Sequence, residues 1–87
     1  MAYYKMEYNI KDIIMKKTLY SKEHKYLVDR LKQARKEAGI DQGQVANLLD
    51  VSQSYISKVE AGQRRIDVIQ LKEFAKIYKK PLNFFIE

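Results

Sequence analysis

Four short polar residues, Ser21, Asp41, Ser52 and Asp67, each stand just ahead of apolar residues that repeat at helical spacing. A side-chain oxygen in that position accepts from the free N–H groups of a helix's first turn, and a Gly or Pro further on closes the helix. The first predicted helix follows Ser21, turns Leu27, Leu31, Ala34 and Ala38 inward, and stops at Gly39. Asp41 with Gln44 has the form of a capping box, and Val45, Ala46, Leu48 and Leu49 fill about two turns before Asp50. The third helix covers residues 52–61, with Ser52 as its cap, Ile56 and Val59 inward, and Gly62 as its stop. Asp67 with Gln70 opens the fourth, where Leu71, Phe74, Ala75 and Tyr78 follow the i, i+3, i+4, i+7 template. Pro81 then starts a short fifth helix that turns Leu82, Phe85 and Ile86 inward and leaves Phe84 without a place in so small a core. With only three Gly and one Pro in the chain, the pattern predicts an all-α fold of five helices and short turns.

Residues 1–20 form an N-terminal extension to a domain at 21–87. Asn9 with Asp12 has the spacing to cap a short helix carrying Ile10, Ile13 and Ile14, whereas "AYYKMEY" is more strand-like, and a dimer arm is the second role open to the segment. Met15 in "MKKTLYS" would serve as a start of translation, which would make the first fourteen residues an addition. His24, the only histidine, is expected to lie exposed in the first turn of its helix.

At 87 residues the chain makes one small domain, which needs a well-packed core or a second copy to extend it. The absence of Cys removes disulfides, thiolate metal sites and Cys nucleophiles, and fits a reducing, cytoplasmic setting. No apolar run is long enough to span a bilayer, so no membrane partner is expected. A single His without metal-ligand spacing and no phosphate-cradling glycine loop argue against an enzyme, a metal, a cofactor or a small-molecule substrate. Seventeen Lys and Arg against eleven Asp and Glu give a net charge of +6, which suits a polyanion such as nucleic acid. Segment 41–66 is nevertheless neutral, with Lys58, Arg64 and Arg65 against Asp41, Asp50 and Glu60. The seven Tyr are scattered and lack the strand alternation of a single-strand stacking platform.

Two short helices joined through Asp50, Val51 and Ser52, the second polar on its outer side, describe a helix-turn-helix. With Ile56 and Val59 inward, Gln53, Ser54, Ser57 and Lys58 group on the opposite side. Their donors and acceptors suit base edges: Gln pairs with adenine, Lys donates to guanine, and Ser serves either, each good pair being worth roughly 1–3 kcal/mol of discrimination.

"DQGQVANLLDVSQSYISKVEAGQRR" resembles the Cro and phage-repressor, or Xre, family in Gln42, Ala46, Val51, Ser52, Ile56, Ser57, Glu60 and Gly62 at the family's spacing. The likeness extends over residues 21–87, since "YLVDRLKQARKEAG" is similar to the family's first helix and "LKEFAKIYKKPLNFF" to its last two. It implies a lambda-repressor-like domain in which Gln53 and Ser54 read bases and Lys58 reads a base or binds phosphate. It also implies a phosphate contact for Gln42, whose counterpart in the lambda repressor bonds the first Gln of the recognition helix, here Gln53. Gly43 departs from the family's commoner Glu and would let phosphate approach the backbone. Arg64 and Arg65 match a loop along the DNA backbone, the alternative being a solvated loop, and the Tyr55 hydroxyl is set to touch phosphate or sugar unless it is merely exposed. Arg35 and Glu60 match a partly buried structural ion pair. Asp50 stands where the family usually has Gly, in a turn that requires positive φ.

The expected function is a sequence-specific regulator of transcription, a repressor, bound to double-stranded DNA at a palindromic operator as a homodimer in the cytoplasm, on the nucleoid. Leu82, Phe84, Phe85 and Ile86 are the first choice for the dimer surface. An antitoxin or a controller of restriction-modification genes keeps the DNA binding. A module that holds a protein partner and does not read DNA is the alternative of another class.

Overall fold

The computed structural model describes residues 21–86. The expectations for Asn9 and Asp12, for "AYYKMEY", and for the stretch ahead of Met15 fall outside the described residues. Four α-helices follow in order: α1 (Lys22–Ala38), α2 (Gln42–Leu49), α3 (Gln53–Glu60) and α4 (Val68–Tyr78). Each begins where a side-chain oxygen takes a free amide of the first turn. Ser21 Oγ accepts from the His24 N–H at 3.1 Å and Ser52 Oγ from the Tyr55 N–H at 3.1 Å. Both acidic caps form complete capping boxes, Asp41 with Gln44 and Asp67 with Gln70, so two orphan donors are satisfied at each start.

All four helices end in one geometry. Gly39, Asp50, Gly62 and Lys79 take the left-handed conformation with φ of 74°, 57°, 76° and 56°. The amide of the residue after each reaches back five positions, from Ile40 to Arg35, Val51 to Ala46, Gln63 to Lys58 and Lys80 to Ala75. This is the Schellman closure, which occupies carbonyls that the helix end would otherwise leave bare. The expected fifth helix is a single 3-10 turn, Leu82–Phe84, closed by the Phe84 and Phe85 amides on the carbonyls of Pro81 and Leu82. The chain has already left the helical path at Lys79, two residues ahead of Pro81.

α2 packs most closely on α3; α3 rests on α1, α2 rests on α4, and α1 packs on α4. The core joins Leu31 and Ala34 of α1, Val45 and Ala46 of α2, Ile56 and Val59 of α3, and Leu71, Phe74, Ala75 and Tyr78 of α4, with Phe85 closing it from the end of the chain. Small side chains at Ala34 and Ala46 let the helices approach, and truncating fully enclosed Ile56 to Ala would cost about 2–5 kcal/mol.

Several inward positions are corrected. Ala38 and Leu48 are exposed. At about 100° per residue, Val45, Ala46 and Leu49 share one arc of α2, and Leu48 falls at its edge. His24 is buried rather than exposed, because it stands one turn ahead of Val28 on the stripe that continues to Leu31. Ile86 is exposed and Leu82 half-buried, whereas Phe85 is completely enclosed. Phe84 does find a place. Its ring packs edge-on to Phe85 and lies 3.7 Å from the Arg30 guanidinium and 4.7 Å from Lys80 Nζ, while Arg30 Nε donates to the Phe84 carbonyl at 2.7 Å.

Candidate nucleic-acid interface

The turn between α2 and α3 sets how the two helices are presented. Asp50 supplies the positive φ that the turn requires, and its short side chain tolerates that region better than most. Val51 and Ser52 then redirect the chain, and Ser52 starts α3 as its cap. Ile56, Val59 and Glu60 of α3 are buried, and Gln53, Ser54, Ser57 and Lys58 are exposed. One polar strip therefore runs along the outer side of a helix whose inner side is locked into the core.

Beneath the strip lies a charged cluster. Glu60, 6% exposed, accepts from Arg35 Nε at 2.7 Å and Nη2 at 3.1 Å, and Arg35 Nη1 also donates to the Ile40 carbonyl at 3.0 Å. The Glu60 hydrogen bond raises the Arg35 guanidinium above its ordinary value, against the effect of burial. Removing either partner would strand a charge at a cost of about 3–5 kcal/mol. Gln42 joins this cluster, its Nε2 donating to Glu60 Oε1 at 3.1 Å. The pairing of Gln42 with Gln53 implied by the family resemblance is replaced: the buried carboxylate is a charged acceptor and outcompetes a neutral amide. Gln53 instead extends toward Gly43, whose Cβ, were it present, would stand 3.5 Å from Gln53 Oε1. Gly43 lies in the first turn of α2, where the missing side chain leaves that room.

Tyr55 is turned differently from expectation. Its hydroxyl is buried with no hydrogen-bond partner among the described residues, so it is not offered to phosphate or sugar. Its ring faces the other way from the polar strip, packed at the edge of the core and beneath the Arg64 guanidinium 4.8 Å from its centroid. Burial pushes the hydroxyl up, and nearby Arg64 opposes that shift. Arg64 and Arg65 are both exposed in the loop after α3, which gives the neutral segment a cationic flank beside its polar face.

A three-residue turn, a recognition helix whose hydrogen-bonding face carries Lys58 among neutral polar side chains, and further cations next to it define a helix-turn-helix DNA-binding domain. The Xre/Cro-like helix-turn-helix family model matches residues 31–85, more than half of the chain, and the chain belongs to that family. It is accordingly a DNA-binding regulator of the Xre type whose ligand is double-stranded DNA. None of the curated proteins compared with the chain matches it.

Sequence reasoning missed the tie between Gln42 and Glu60, the inward turn of Tyr55 and the ring beneath Arg64. For Tyr55 a signal existed: it stands three residues after Ser52 and one before Ile56, at the margin of the apolar arc rather than opposite it.

Proposed function

We propose that the chain is a transcriptional repressor that reads a palindromic operator as a homodimer, acting by occlusion of polymerase and without catalytic activity of its own. The observation that carries this is the division of α3, with Ile56, Val59 and Glu60 buried and Gln53, Ser54, Ser57 and Lys58 exposed together. Those four side chains are the base readers. Gln42 and Gly43 at the start of α2 and Arg64 and Arg65 in the loop meet the backbone, and Tyr55 acts through Arg64. Two recognition helices would enter successive major grooves about 34 Å apart.

The surface for a second copy needs revision. Phe85 is enclosed in its own core and Phe84 lies against Arg30 and Lys80, so of the four C-terminal candidates only Ile86 is freely exposed. Val68 and Ile69, 59% and 62% exposed on the first turn of α4, are the larger apolar offer.

Selection from random duplex DNA tests the proposal. A motif with two half-sites about one helical turn apart is expected. Gln53→Ala should relax one or two base positions, while Arg65→Ala should weaken all sequences alike and reduce the salt slope by about 0.9. An unenriched pool would instead favour a module that binds a protein.

A further inference from the structure

We propose that the groove between α1 and the end of α3 is the seat of the chain's own N-terminal segment, residues 1–20, which enters it with Ile10, Ile13 and Ile14. His24 and Val28 are 7% and 6% exposed, yet neither belongs to the cluster of side chains that forms the core. The groove beside them has a volume of about 420 Å³ and is walled on its other side by Glu60, Ala61 and Gly62. A water takes about 30 Å³ of liquid, so the space suits side chains rather than a bridging water or two. His24 Nε2 is buried there with no hydrogen-bond partner among the described residues, and a buried polar atom ordinarily has one.

The chemistry of the walls favours an apolar occupant. Their charges answer one another: Lys25 Nζ lies 3.0 Å and Lys32 Nζ 3.9 Å from the Asp29 carboxylate, and Glu60 is held by Arg35. What remains for an occupant is carbon, from Val28, Ala61, the imidazole ring and the lysine stems. The segment ahead of α1 has the matching pattern. Ile10 and Ile14 are four residues apart, as are His24 and Val28, so each pair is spaced by about one helical turn, roughly 6 Å. Ser21 stands at the edge of the groove. Residues 15–20 join it to Ile14 and span up to about 20 Å when extended, whereas Val28 lies only about 10 Å along the axis from Ser21. The chain can therefore turn back along α1. Four of its tyrosines, Tyr3, Tyr4, Tyr8 and Tyr20, are in this segment, and a phenolic hydroxyl donates or accepts as either tautomer of His24 requires. Tethering at the groove's edge also gives the segment a higher local concentration than a second copy would have. The segment so placed packs on the end of the recognition helix.

NMR of the full chain, labelled at its Ile and Val methyl groups, tests this. The Val28 methyls, identified by their loss in Val28→Ala, should show NOE cross-peaks to at least one of Ile10, Ile13 and Ile14. Those cross-peaks should keep their strength per labelled chain when labelled protein is diluted into unlabelled protein. Thermal unfolding of the full chain supplies a second readout. Ile10→Ala/Ile14→Ala should lower the midpoint by about 10 °C, the order expected when two partly buried side chains are truncated in a domain this small. Val28→Ala should lower it too, and the triple variant should lose less than the sum of the two, because both changes remove one contact. Ile86→Ala, exposed and distant from the groove, should leave the midpoint in place. Cross-peaks that fade in proportion to dilution overturn the proposal and make the segment an arm that reaches a second copy. Absence of the cross-peaks, an unshifted midpoint for Ile10→Ala/Ile14→Ala, or additive shifts in the triple variant also overturns it. Should Val28→Ala not fold, cross-peaks assigned through the backbone, together with the shift of Ile10→Ala/Ile14→Ala, decide.

Discussion

Lys79 ends α4 in the left-handed region, where a Cβ costs about 1–2 kcal/mol relative to Gly. It is exposed, so Gly there removes strain at little loss of packing. Gly also loses about 0.5–1 kcal/mol more chain entropy on folding, which leaves a net gain of about 0.5–1 kcal/mol for Lys79→Gly. Urea unfolding should report that increase. Asp50→Gly should gain less, because the short carboxylate side chain is better suited to positive φ. The two positions also mark what the residue pattern discloses. Gly39 and Gly62 announce left-handed closures by their identity, and Asp50 does so through its place in the family turn. Lys79 carries no such sign, since a Lys is not a residue type that marks positive φ.

At the scale of the element, α3 shows why its inner face was legible and its outer one only partly so. Ser52 as cap, the spacing of Ile56 and Val59, and Gly62 as stop follow from local chemistry and appear as expected. Tyr55 and Gln42 depend on what stands opposite them, Arg64 in one case and Glu60 in the other, and those partners come from other elements. A role for Tyr55 through Arg64 can be separated from a direct contact. Since the hydroxyl is buried and unpartnered among the described residues, Tyr55→Phe should bind DNA as the wild type does. Tyr55→Leu keeps apolar volume at the core's edge but removes the ring beneath Arg64. Ordering that side chain on binding would then cost about 0.5–1.5 kcal/mol, or about 2- to 12-fold in affinity, alike for all sequences. Fluorescence anisotropy on a selected duplex measures both. A loss for Tyr55→Phe equal to that for Tyr55→Leu would restore the hydroxyl as the contact.

For the whole molecule, the all-α class and the order of helices were legible because caps, stops and apolar spacing agree, while the fate of the C-terminal aromatics was not. Phe84 and Phe85 are adjacent and identical, yet one is enclosed and the other held under Arg30, a distinction made by packing against α1 rather than by any local signal. An exposed ion pair and a buried core hydroxyl make stability depend on pH. On the acid side, the Lys80 ammonium at 2.6 Å holds the exposed Glu37 carboxyl below its ordinary value. A depressed carboxyl contributes stability that is present above its unfolded value and lost as pH falls through the folded one. The alkaline side belongs to Tyr78, whose hydroxyl is raised above its ordinary value of 10.0, chiefly by burial and further by Glu60. The folded protein thus keeps Tyr78 neutral where the unfolded chain ionises, so this contribution is intact below about pH 10 and declines above it. Tyr78→Phe separates the hydroxyl from the ring. The hydroxyl is buried without a partner among the described residues, so its removal should raise stability at neutral pH by about 1 kcal/mol while the ring's packing on Phe74 is kept. Thermal unfolding from pH 7 to 11 should then show a higher midpoint at pH 7 and a shallower decline above pH 10. A variant that is less stable at pH 7 and declines as steeply as the wild type would mean that the hydroxyl is satisfied in solution and that alkaline loss arises elsewhere.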